Sequence, residues 1–211
     1  MGKLQSYKSI SVQSSCEVRI KNSRFIGTIA PVLSESEASL FLEQMRYTYR
    51  DASHNVFAFR ILQDNGLLER QSDDGEPSGT AGKPSLDVLA GAGLVNVCVN
   101  VTRYFGGTLL GTGGLVRAYQ AAAREAISQT RICEFKRLVQ ARIILPYSAY
   151  DKFLYTANNS GYIIADSAFS ENITLTVICL EESVTTLQHT TLGIAPSAQI
   201  SFGEAYYGVL N

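Results

Sequence analysis

Hydrophobic and polar positions along this chain follow two rhythms, the two-residue period of a strand and the 3.6-residue period of a helix. Residues 16–20 and 24–30 read as strands on either side of the polar turn Lys21-Asn22-Ser23. Ser34 stands three residues before Glu37, the spacing of a capping box, and Ala38, Phe41, Leu42, Met45 and Tyr49 follow on one helical face. Residues 56–62 are β-rich, and Asp64-Asn65-Gly66 predicts a hairpin turn into a strand over 67–71. A loop crowded with Asp, Gly, Pro and Ser covers 72–83, and Pro84 suits the first turn of a short helix through Leu89. Residues 94–103 predict the central strand, with Val95, Val97, Val99 and Val101 on one face and Asn96, Cys98, Asn100 and Thr102 on the other. It runs into a glycine-rich stretch, and the next helix buries Leu115, Ala118, Tyr119, Ala122 and Ala126.

Beyond residue 131 the rhythm restarts. A strand over 139–145 precedes a helix over 148–158 with Gly161 after its end. Strands over 162–169 and 173–180 turn at Ser170-Glu171-Asn172. A helix over 181–192, stopped by Gly193 and Pro196, leads to a last strand over 199–206. The order β-α-β-β-α-β is the ferredoxin-like arrangement. An α+β protein of two domains, 1–131 and 137–211, is therefore expected.

Composition narrows the function classes. With 45% hydrophobic and 18% charged residues the chain has enough apolar surface for packed cores and is too apolar to stay disordered. A formal net charge of −1 predicts no general pull toward nucleic acid or membrane. Residues 1–131 hold 14 Lys+Arg against 12 Asp+Glu, whereas residues 132–211 hold 4 against 7, so the second domain is a poor phosphate-backbone surface. Cys16, Cys98, Cys133 and Cys179 form no CxxC pair and read as small hydrophobes of a reducing compartment. Residues 1–20 hold no long apolar run, and no stretch approaches the ~20 apolar residues of a membrane span. A cytoplasmic protein without a membrane partner is expected.

Candidate chemistry concentrates in two segments. The first, 72–84, carries Asp73, Asp74 and Glu76 within four residues, together with Ser78, Thr80, three glycines and two prolines. Such a loop suits a binding or catalytic role on a rigid scaffold. It equally suits a tight turn whose carboxylates pair with Arg103, Arg117 or Lys83. The second, 102–119, runs from Arg103, Tyr104 and Phe105 through Gly106, Gly107, Gly111, Gly113 and Gly114 to Arg117. A strand, glycines and then a helix leave amide N–H groups at the positive end of a helix dipole, where an anion or the acidic loop itself would sit.

The named motifs fail on inspection. Thr112 stands where a P-loop needs Lys, Val116 replaces the third glycine of a dinucleotide fingerprint, and Glu76 spoils a nucleophile elbow at Ser78. His54 is the only histidine of this half, so a transition-metal centre is not expected, nor any other cofactor. His54 reads as a strand-end histidine holding the acidic loop or as a general acid–base, and His189 as a surface residue. Tyr47 and Tyr49 read as helix-end packing.

The segments 72–89 (SDDGEPSGTAGKPSLDVL) and 99–119, together with KNSRFIG at 21–27 and DASHNVFAFR at 51–60, closely resemble the signature of the IMPACT/YigZ family. The resemblance implies a first domain like the second domain of ribosomal protein S-five and a ferredoxin-like second domain similar to one of elongation factor G. It marks His54, Asp73, Asp74, Glu76, Ser78, Thr80, Arg103, Tyr104, Gly106, Gly107, Gly111, Gly113, Gly114 and Arg117 as shared positions, binding or structural. Eukaryotic members resemble regulators of translation. The expected function is a non-enzymatic binding protein linked to regulation of translation or stress response, with a protein or ribosome/RNA partner. Two alternatives stay open: an RNA- or ribosome-binding module, and a small-molecule or phosphate-ester enzyme with an anion site at the glycine-rich loop.

Overall fold

A computed structural model describes residues 6–63 and 65–210. The chain divides into two compact units, Tyr7–Glu134 and the residues from Phe135 onward.

In the first unit the order is β1 (Ser6–Ile10), β2 (Ser14–Ile20), β3 (Ser23–Pro31), α1 (Glu35–Thr48), β4 (His54–Gln63), β5 (Gly66–Ser72), α2 (Gly82–Gly91), β6 (Val97–Tyr104) and α3 (Thr112–Ser128). Five of these strands form an antiparallel sheet in the order β2-β3-β6-β4-β5. Val97, Val99 and Val101 pack with Leu89 of α2 and Leu115, Ala118 and Ala122 of α3. Cys98 packs from the other face of β6 with Phe41 and Met45 of α1. Covered on both faces, β6 is buried through all but its last residue.

The N-terminus of α1 closes as its sequence dictates. Ser34 Oγ accepts from the Glu37 amide at 3.1 Å, and Glu37 reaches back to the Leu33 amide at 2.8 Å. Two expectations for this unit need correction. The strand β1 was not anticipated. The central strand starts at Val97, because Asn96 adopts φ 57 and its Oδ1 accepts from the Leu62 amide at 2.8 Å. Asp64 of the predicted hairpin turn lies outside the described residues, while β5 pairs with β4 from Gln63–Gly66 to Phe57–Ser72.

The second unit contains β7 (Ile132–Leu145) from Phe135 onward, α4 (Tyr147–Asn159), β8 (Ile163–Phe169), β9 (Ile173–Leu180), a 3-10 turn over Glu181–Ser183, α5 (Val184–Ile194), β10 (Gln199–Phe202) and β11 (Tyr206–Gly208). Its strands lie in the order β10-β7-β9-β8, each pair antiparallel, which is the ferredoxin-like arrangement. Here α5 passes through Gly193 and ends at Ile194, two residues later than expected. The single last strand expected over 199–206 is two strands on β7, broken at Gly203-Glu204-Ala205. Phe202 faces Ala141 but Tyr206 faces Leu138, so one extra residue is accommodated as a bulge.

All four cysteines are unpaired. Cys98 and Cys179 are buried, as small hydrophobes are, and Cys16 and Cys133 are half-buried.

Candidate functional site

The acidic loop between β5 and α2 is held by its own carboxylates. The N-cap of α2 is Ala81, which has no side-chain oxygen to offer, so the first amides of the helix need an acceptor from elsewhere. Asp73 supplies it: Oδ1 accepts from the Ala81 and Gly82 amides at 3.0 and 2.8 Å, and Oδ2 from Gly79 at 2.8 Å. Asp74 sits in the left-handed region at φ 47, and its Oδ2 accepts from the Asn55 amide at 2.6 Å. Its carbonyl lies 2.8 Å from His54 Nδ1. A carbonyl only accepts, so Nδ1 carries the proton and the ring is oriented by the loop. Both the amide and the hydroxyl of Thr80 donate to the Pro77 carbonyl, at 3.0 and 2.6 Å. Ser78 is exposed at the tip.

Glu76 turns inward instead, with only 3% of its side chain exposed. Its Oε1 accepts from Arg103 Nη1 at 2.6 Å and from the Tyr119 hydroxyl at 2.7 Å, and His54 Nε2 lies 3.8 Å away. Arg103, at the end of β6, lies over the rings of Phe25 and Phe105 at 5.5 and 5.4 Å. Its Nη2 makes a long contact with Ser23 Oγ at 3.5 Å, and its Nε has no hydrogen-bond acceptor among the described residues. Phe25 and Tyr119 meet edge to face at 5.3 Å, which locks the phenol under the loop.

Burial, reinforced by the Glu76 carboxylate, raises the Tyr119 pKa well above its ordinary 10.0. The proton is thus bound more tightly in the folded chain. The associated stability is complete below the unfolded value and is lost as pH climbs above it. Denaturation midpoints measured from neutral to strongly alkaline pH are expected to fall less steeply in Tyr119→Phe than in the wild type. An equal decline in both would contradict this.

The glycine-rich segment leads from β6 into α3. The Gly106 amide donates to Ser23 Oγ at 3.2 Å, and a Cβ at this position would run into the Asn22 backbone. Gly107 is exposed, with φ 77. Gly111, at φ 72, is the N-cap of α3 and leaves the helix start without a side-chain cap, with Gly113 and Gly114 in the first turn. Two predicted residues stand outside the Glu76–Arg103 cluster. The Tyr104 hydroxyl donates to Asp51 Oδ1 at 2.8 Å with Arg24 over its ring, and Arg117 is exposed without an ion pair among the described residues.

The two segments meet at one cavity of about 430 Å³. Its polar lining is His54, Glu76, Arg103 and Thr112, and its apolar lining includes Phe105, Leu109 and Leu115. Of the three loop carboxylates, Glu76 alone lines it, because Asp73 and Asp74 are spent on α2 and β4. Among the described residues no three His, Cys, Asp or Glu side chains converge as metal ligands do.

The Impact N-terminal domain family matches residues 21–127. IMPACT family member YvyE of Bacillus subtilis is 35% identical over 81% of this chain and 78% of its own length. The chain belongs to the IMPACT family. IMPACT family member YigZ of Escherichia coli is 44% identical over 52% of this chain and 54% of its own. A crystal structure of a hypothetical protein covers 96% of this chain and 99% of its own, at 29% identity and a TM-score of 0.63. Every residue that lines the cavity of this IMPACT-family chain falls inside the matched 21–127.

Sequence reasoning gave Tyr119 and Asn55 no part in this constellation, and placed Phe105 in the second candidate segment without a role. Tyr119 did carry a signal: a phenol on a helix face otherwise made of alanine and leucine must find an acceptor once buried. For Asn55 and Phe105 no local pattern distinguishes a site residue from a strand residue.

Proposed function

We propose that this chain is a non-enzymatic binding protein linked to regulation of translation or stress response, acting through the loop surface of its first unit. Membership of the IMPACT family supports the link to translation. One observation carries the preference for binding over catalysis. Asp73, Asp74 and Glu76, the groups that would move a proton, already accept short hydrogen bonds from this chain's own amides, Arg103 and Tyr119. On the lining of the same cavity Leu109 is 82% exposed, and the side chains of the exposed Ser78 and Arg117 have no hydrogen bond or ion pair among the described residues. An exposed leucine on the lining of a cavity suits a partner better than it suits water.

The test is co-sedimentation with purified ribosomes at physiological salt, alongside retention of proteins from lysate. Leu109→Ser with Arg117→Ala is expected to lower recovery of the partner at least fivefold while the thermal midpoint stays unchanged. Neither ribosomes nor any protein retained by the wild type would overturn the reading.

A second reading, RNA contact, is favoured by Tyr47. It was expected to pack at a helix end, yet it is 75% exposed between the exposed Arg46 and Arg50, while Tyr49 alone packs on the core. Arg103 and Tyr104 are unavailable for the same purpose, being engaged by Glu76 and Asp51. Affinity for RNA that falls steeply with salt would favour this reading, and a flat response would remove it.

A further inference from the structure

We infer that the open edge of β2 pairs antiparallel with the same strand of a second copy of this chain, in the register that sets Val18 opposite Val18 across a two-fold axis. The inference goes beyond the partner reading of the loop surface and uses none of the residues of the cavity.

Nothing in its sequence blunts the β2 edge. In the order β2-β3-β6-β4-β5 this strand has β3 on one side and, among the described residues, no strand on the other. An unpaired edge presents a row of N–H and C=O groups to any strand that matches it. The seven residues Ser14–Ile20 include no proline and no glycine, and their register with β3 runs unbroken. The opposite edge, β5, is protected. Glu69 and Arg70 stand on opposite faces of it, tied by ion pairs to Arg60 and Glu35 respectively.

Side chains on β2 sort cleanly by face. Cys16, Val18 and Ile20 pack against the core of the first unit, yet each stays half-buried, because an edge strand has no neighbour on one flank. Ser15, Glu17 and Arg19 are exposed on the other face. Arg19 stands directly opposite Arg24 of β3, and it donates to Glu17 through Nε alone. Like charges set opposite each other on a sheet favour a carboxylate at the remaining flank.

The pattern is its own complement in one register. With Val18 opposite Val18, Cys16 of each copy meets Ile20 of the other on the apolar face. On the charged face Glu17 of each copy meets Arg19 of the other. Centring the axis on Glu17 or on Arg19 would set like charges face to face. A shift by one residue would bring charged positions opposite apolar ones. Pattern and charge thus select one occupant, a second β2. A seam this short suits a weak, concentration-dependent dimer.

The test is sedimentation equilibrium of the full chain from micromolar to millimolar concentration. A monomer–dimer equilibrium is expected for the wild type. Glu17→Arg and Arg19→Glu are each expected to weaken the dimer about tenfold or more, since each sets like charges opposite one another at two places in the seam. Both positions are exposed, so the thermal midpoints should change little. Mixing the two variants in equal amounts is expected to restore dimer, because their seams then carry opposite charges. Amide hydrogen exchange in β2 should slow as the dimer fills. A dimer that neither substitution weakens, or no recovery on mixing, would overturn the inference. A chain that stays monomeric at millimolar concentration would also overturn it, and would leave the edge to a strand of another protein.

Discussion

Arg103→Ala is expected to destabilise the first unit by about 3–5 kcal/mol, measured by urea denaturation followed by tyrosine fluorescence. The substitution strands the Glu76 carboxylate, whose side chain is 3% exposed, leaving the Tyr119 hydroxyl and His54 near its Oε1. It also empties the space over Phe25 and Phe105. An uncompensated buried charge costs far more than the net worth of the pair it came from. Glu76→Gln is expected to cost less, since the amide oxygen still accepts from Arg103 and from Tyr119. The double substitution Arg103→Met with Glu76→Leu is expected to recover much of the loss, because neither partner is then left charged. A loss below about 1 kcal/mol for Arg103→Ala would show that the pair is not an internal strut.

Asp73→Ala is expected to cost about 2–3 kcal/mol, more than the ~1 kcal/mol of an ordinary helix cap. The excess has a definite origin. Asp73 accepts from three amides, two at the start of α2 and one at Gly79, so it fastens the loop to the helix as well as capping it. Asp73→Asn separates these jobs. An amide oxygen can replace Oδ1 toward Ala81 and Gly82, but the NH₂ group cannot accept from Gly79, so about half the loss should return. Urea midpoints of the two variants measure the difference. Identical midpoints for Asn and Ala would mean that the cap contributes nothing beyond the turn.

The constellation was legible only in part. The IMPACT-type segments marked Glu76 and Arg103 as shared positions, binding or structural, and the pairing of a loop carboxylate with Arg103 was among the alternatives that the residue types allow. Lys83, offered as another partner for those carboxylates, pairs with Asp87 on its own helix instead, and Arg117 pairs with none of them. Which carboxylate turns inward does not follow from spacing. Asp73, Asp74 and Glu76 lie within four residues, yet they go respectively to α2, β4 and the β6–α3 corner.

What the sequence by itself determined is the set of local elements: α1 with its Ser34–Glu37 cap, the inner face of α3, the buried β6, and the β-α-β-β-α-β order of the second unit. These depend on relations over two to four residues, and each is written directly into the chain. Tertiary structure alone decided the partners. Glu76 meets Arg103 across 27 residues and Tyr119 across 43, and β7 receives the last strand in two pieces because the bulge at Gly203 must match a distant register. Such choices follow from which groups are left facing each other once the sheet has closed and water has gone, and no short-range period encodes that competition.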